Sequence, residues 1–173
     1  MILQPIYANY SCTRAAELIF VYTNIVLVLL LMKTSESSYS KCMYFVSNAL
    51  ARKIEKLAIA SWKMVNLSPS HAYLLMLVLE KPGIQPGLLS KELSLTASTV
   101  SRLLEKLEEK KLIARVITGR MTHIFPTPRA KELRQRLKNS LTQFYENYSG
   151  ILGKEESAKL VLNMSRVADK LGN

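Results

Sequence analysis

Apolar positions recur every three to four residues along most of this chain, and the runs are separated by capping hydroxyls, prolines and glycines. Between Tyr39 and Met64 the set Met43, Val46, Leu50, Ile54, Leu57 and Met64, with Arg52, Lys53, Glu55 and Lys56 interspersed, predicts a long amphipathic helix. The next run, "NLSPSHAYLLMLVLEKPG", offers Ser68 as N-cap, Pro69 at the first helical position and a stop at Pro82-Gly83. Its "AYLLMLVL" is apolar on every side, which predicts a central helix covered by its neighbours. Two short helices follow. The first carries Leu88, Leu89 and Leu93; after a turn at Ser94 and Leu95, the second is capped by Thr96 and keeps Val100, Leu103, Leu104 and Leu107 on one face.

The period then changes. In "IARVITGRMTHIF" β-branched residues cluster on both sides of Thr118-Gly119-Arg120, which predicts a β-hairpin. Thr127-Pro128 restarts a helix whose stripe is Leu133, Leu137, Leu141, Phe144, Tyr148 and Leu152, with Gly150 and Gly153 marking its end. A last helix shows Leu160, Met164, Val167 and Leu171. The expected fold is therefore mainly α with a small β-hairpin wing: a helix-turn-helix followed by a hairpin, flanked by long helices.

Composition sharpens this reading. Of 173 residues 49% are apolar, with only 6 glycines and 6 prolines, which favours helices over a turn-rich β-sandwich. The net charge of +11 lies entirely beyond Met32, because residues 1–31 hold only Arg14 and Glu17. Between 114 and 138, Arg115, Arg120, Arg129, Lys131, Arg134, Arg136 and Lys138 face a single anion, Glu132. Such a block suits a phosphate-rich partner or an anionic membrane, and also reads as a solvated helix face.

Cys12 and Cys42 have no CxxC spacing, and His71 and His123 are far apart, so no metal site or disulfide framework is expected and a reducing cytoplasm is the simplest home. No nucleophile with a base, carboxylate pair or glycine-rich phosphate loop points to an enzyme. No cofactor is expected.

The helix beginning at Thr96 presents Ser98, Thr99, Ser101, Arg102, Glu105 and Lys106 opposite its apolar face. Short hydroxyls there admit close approach to base edges, Arg102 has the fork that matches guanine O6 and N7, and Arg120 in the hairpin is suited to an adjacent minor groove. Thr96, Ser98, Thr99, Ser101, Arg102, Lys106, Arg115 and Arg120 are the candidate contacts to double-stranded DNA. A hydroxyl-rich helix start taken alone also reads as simple capping.

"LSPSHAYLLMLVLE", "LLSKELSLTASTVSRLLEKLEEKKLIAR" and "GRMTHIFPTPRAKEL" resemble the corresponding segments of MarR-family winged helix-turn-helix transcriptional regulators, over a stretch from about Tyr39 to the end. Ser98, Thr99 and Arg102 match that family's recognition-helix pattern. Arg120 matches the arginine of its wing, although Thr118 stands where the family usually has aspartate. The resemblance implies a homodimer that binds a pseudo-palindromic operator, usually as a repressor, and responds to a small phenolic or anionic effector. It also implies a DNA-binding lobe at 68–127 and dimerisation helices at 39–66 and 128–171, within a domain spanning 39–173. Some relatives sense peroxide through a cysteine on the first helix, the place of Cys42 here; the ordinary reading of Cys42 is a small buried hydrophobe.

The segment 1–38 stands apart. Its run "LIFVYTNIVLVLLLMK" has fifteen positions before the lysine, spanning about 22 Å as a helix against about 30 Å of hydrocarbon. A membrane partner is therefore not the expectation. A tether remains an alternative, and a third reading is an interaction module without DNA binding. Met32 opens the polar leader "MKTSESSYSK", which leads us to expect that residues 1–31 are either an upstream extension from a misassigned start or a dispensable helix that packs on the dimer.

Overall fold

The computed structural model describes residues 33–172. The apolar opening run, Cys12 and the expected start at Met32 lie outside the described residues. The chain divides into two units at Ala51 and Arg52. In the first, a 3-10 turn at Thr34–Glu36 leads to helix α1 (Met43–Trp62), which runs on into the second unit. The helix begins at Met43 rather than Tyr39, because Tyr39 to Cys42 form a turn in which the Cys42 N–H donates to the Tyr39 carbonyl at 2.9 Å. Cys42 itself is exposed, which corrects the ordinary reading of it as a small buried hydrophobe.

The second unit holds the predicted order. A 3-10 turn at Lys63–Val65 ends on Asn66, whose φ of 53° reverses the chain. Helix α2 (Pro69–Glu80) follows, then α3 (Pro86–Glu92), α4 (Ala97–Glu109), strands β1 (Ile113–Thr118) and β2 (Met121–Pro126), and helices α5 (Pro128–Leu152) and α6 (Lys154–Leu171). Every residue of "AYLLMLVL" in α2 is buried or half-buried, as its all-round apolarity requires. Leu74, Leu75 and Val78 of α2 share one core with Leu89 of α3, Leu104 and Leu107 of α4, Ile124 of β2 and Leu137 of α5.

Two details of the expected boundaries change. Ser68 precedes α2 but its hydroxyl makes no cap bond; it pairs instead with His71 Nδ1 at 2.7 Å. Helix α5 passes through Gly150 and stops at Gly153, where a φ of 85° suits glycine. The hairpin is antiparallel with Thr118 opposite Met121, which narrows its turn to Gly119-Arg120. With φ at +63° for Gly119 and no positive φ at Arg120, this has the pattern of a type II′ turn, whose twist suits a two-residue hairpin. The wing is fastened to the α2–α3 connection: Gly83 N–H donates to Ile124 O at 2.8 Å, and Ile124 N–H to Ile84 O at 3.0 Å. A side chain at Gly83 would press within 3.2 Å of the Phe125 ring, in a backbone of φ +87°.

Candidate nucleic-acid interface

The turn between α3 and α4 is short because Ser94 adopts a left-handed φ of 51° and the Leu95 N–H returns to the Ser90 carbonyl at 3.0 Å. That places Thr96 as N-cap of α4, its Oγ1 accepting from the Thr99 N–H at 3.3 Å. The same oxygen lies 2.9 Å from Thr99 Oγ1 and 3.1 Å from Ser98 Oγ. Three of the candidate hydroxyls thus form one cluster at the helix start, and the capping role foreseen for a lone hydroxyl-rich start is present in it. Leu104, Leu107 and Val100 are buried beneath the helix, so Ser98, Thr99, Ser101, Arg102 and Lys106 are held on its exposed side.

The candidate cations divide into two kinds. Lys106 Nζ is 2.7 Å from Glu109 Oε2, and that hydrogen bond raises its pKa; Arg115 Nε is 2.9 Å from Glu108 Oε2. Arg102 and Arg120 are exposed and have no carboxylate partner among the described residues. A guanidinium without an internal partner keeps all its donors for an external acceptor. The wing tip that carries Arg120 also shows apolar surface: Ile117 is 73% exposed and Met121 52%.

His71, at the start of α2, has its pKa lowered by burial first and then by the positive charges of Lys110 and Lys106 at the far end of α4. Sequence reasoning missed what Lys110, Arg129 and Arg136 do together. They line one cleft of about 230 Å³ beside the turn at 63–66. Arg129 and Arg136 stood within the basic block, but nothing in their spacing signals a common cleft with residues 64–67.

The family model that matches this chain is that of the MarR family, over residues 65–120, the segment holding α2, α3, α4 and the wing up to Arg120. Over that segment the chain is similar to the MarR family. Solved structures with the same fold extend the likeness on both sides of it. The MepR–DNA complex of S. aureus is 20% identical, with a TM-score of 0.65, over 75% of this chain and 97% of that one. The repressor CouR bound to a 23-mer DNA duplex is 18% identical, with a TM-score of 0.70, over 79% and 98%. CouR bound to p-coumaroyl-CoA is 16% identical, with a TM-score of 0.69, over 80% and 97%. No curated protein sequence matches the chain. The β1–β2 hairpin directly after α4 gives this part of the chain the element order of a winged helix-turn-helix. Among the described residues, no helix is long and apolar enough to cross a membrane.

Proposed function

We propose that this MarR-family regulator is a sequence-specific DNA-binding protein of the cytoplasm, not an enzyme, that represses transcription by binding a pseudo-palindromic operator as a homodimer. The observation that carries the reading is the outer face of α4, where Ser98, Thr99, Ser101 and Arg102, which has no carboxylate partner among the described residues, stand exposed on a helix whose other side is locked into the core. Arg102 reads a guanine edge, the hydroxyls of Ser98, Thr99 and Ser101 contact bases or phosphates, and Arg120 carries the wing contact. Lys106 and Arg115, engaged with Glu109 and Glu108, add to the field around the helix more than to base readout. Thr96 acts mainly as the cap that sets the helix start.

The dimer is supported by α6 and the end of α5. Val161, Leu162, Met164, Val167 and Leu171 are between 44% and 72% exposed, and Ile151 70%, so the last helix buries almost nothing within its own chain. An apolar helix face left in water asks for another surface. A second copy supplies an isologous one and doubles the phosphate contacts. The bound complexes of MepR and CouR support DNA as the partner, and CouR bound to p-coumaroyl-CoA supports a small-molecule ligand. Selection of bound fragments from genomic DNA by the purified protein tests the reading. Enrichment of one inverted repeat is the expected result; recovery of no common sequence contradicts it.

A further inference from the structure

The β1–β2 hairpin is held at its base and bare toward its tip. At the base, Ile124 is tied to Gly83 and Ile84 by backbone hydrogen bonds, and His123 Nδ1 lies 3.0 Å from the Gly83 carbonyl oxygen. Beyond Ile113 no residue of β1 is buried, so both faces of that strand stand uncovered as far as the turn. Met121, opposite Thr118, is drawn back toward the start of α3, where Gln85 Nε2 lies 3.5 Å from its sulfur. Ile117, opposite Thr122, shows on the other face and is more exposed than any other large apolar residue of the hairpin. From 113 to 126 the chain carries Arg115 and Arg120 and no acidic residue.

We propose that the hairpin is an apolar wedge as well as a cationic finger: Ile117 enters the minor groove beside Arg120 and parts a base step, so that each wing kinks the operator. The inference rests on the DNA-binding reading above and adds to it a bend and a preference at a step that no side chain reads by hydrogen bonds. Charge and continuity favour a DNA groove over a protein as the cover for this face. The tip carries Arg120, exposed and without a carboxylate partner among the described residues, and the hairpin holds no anion to repel phosphate. Arg115 of β1 is joined to Glu108 of α4 at 2.9 Å, so strand and helix present one surface. Ile117 stands one residue pair behind the turn, about 3.3 Å along the strand, close to the roughly 3.4 Å between successive bases. An arginine in the groove thus brings the isoleucine to a neighbouring step. Isoleucine is among the side chains that part base steps from the minor groove, and the hydrogen-bonded base of the hairpin holds it against the resistance of the stack. Pyrimidine–purine steps such as TA give way readily, whereas a guanidinium acting alone favours the narrow groove of a stiff A-tract. The two contributions therefore call for opposite sequences.

Duplexes carrying the selected inverted repeat, with either a TA step or an A-tract where footprinting locates each wing, test the wedge. Anisotropy with the full chain reads affinity, and energy transfer between end labels reads bending. The parent is expected to bind the TA duplex about tenfold more tightly than the A-tract duplex and to kink it by about 20–90° at each wing. Ile117→Thr, which keeps a β-branched residue on an exposed strand, loses the preference and most of the bend, while Ile117→Val retains both. A preference for the A-tract, or equal bending by the parent and Ile117→Thr, overturns the proposal. If Ile117→Thr leaves DNA binding unchanged but reduces a higher assembly to a dimer, the face is a protein contact and the proposal fails. Loss of operator affinity in Arg102→Ala with no effect of Ile117→Thr refutes the wedge and leaves the regulator reading standing. A chain that binds no DNA refutes both.

Discussion

Arg102 and Lys106 sit one helical turn apart on α4, yet their surroundings give them different work. Arg102 has no carboxylate partner among the described residues, while Lys106 is drawn to Glu109. Replacing Arg102 by alanine is expected to weaken operator binding by about 1–3 kcal/mol and to relax preference at one base pair. Lys106→Met is expected to cost less and to act equally on all sequences, as fluorescence anisotropy on operator and mutated duplexes will show. His71 supplies a second residue-scale prediction. Its folded pKa lies below the ordinary imidazole value of 6.5, so the unfolded chain takes up a proton first as pH falls. The stability it contributes is present above about 6.5 and is lost as pH falls from there toward the folded pKa. Thermal unfolding at pH 7.5 and 5.5 is expected to show a larger loss for the parent than for His71→Gln; equal losses contradict it. The sequence could not disclose this shift, because it needs His71 buried and, after that, Lys110 and Lys106 brought near it by the packing of α4 against α2.

Caps and turns decide where each element begins. Thr127 is the most tightly used of them: its Oγ1 accepts from the Ala130 N–H at 3.3 Å and donates to the Lys111 carbonyl at 2.8 Å, tying α5 to the segment that leads from α4 into β1. Thr127→Ala is expected to cost about 1–2 kcal/mol by urea denaturation, at the upper end for a helix cap. Leu104, 1% exposed beneath the recognition helix, is expected to cost about 2–5 kcal/mol as alanine. These elements were legible because local signals agreed with the core: the i, i+3, i+4, i+7 set of α4, the proline starts of α2 and α5, and glycine in the hairpin turn all point the same way. The misses were also local. His71 Nδ1 pre-empts a cap bond at Ser68, and Gly150, which has the look of a stop, lies inside α5 because glycine within a long packed helix is tolerated at modest cost. Salt bridges such as Arg115 to Glu108 depend on the bend between α4 and β1 and leave no mark in spacing.

At the scale of the whole molecule the chain presents two surfaces that its own core does not use, the hydroxyl and arginine face of α4 and the apolar face of α6. On the proposed reading the first contacts DNA and the second joins two copies, which makes the two separable by mutation. Met164→Glu with Val167→Glu is expected to give a monomer by analytical ultracentrifugation, with the winged-helix lobe still folded by circular dichroism. Its affinity for a palindromic operator should fall by more than tenfold, because half the phosphate contacts are lost. The most direct test of the central claim is operator binding by the parent, Arg102→Ala and Arg120→Ala, measured by anisotropy on the selected inverted repeat across a series of salt concentrations. The account predicts one dimer per repeat, steep loss of affinity with salt, and marked weakening in both variants. Equal affinity in all three proteins, or affinity indifferent to salt and sequence, would contradict it.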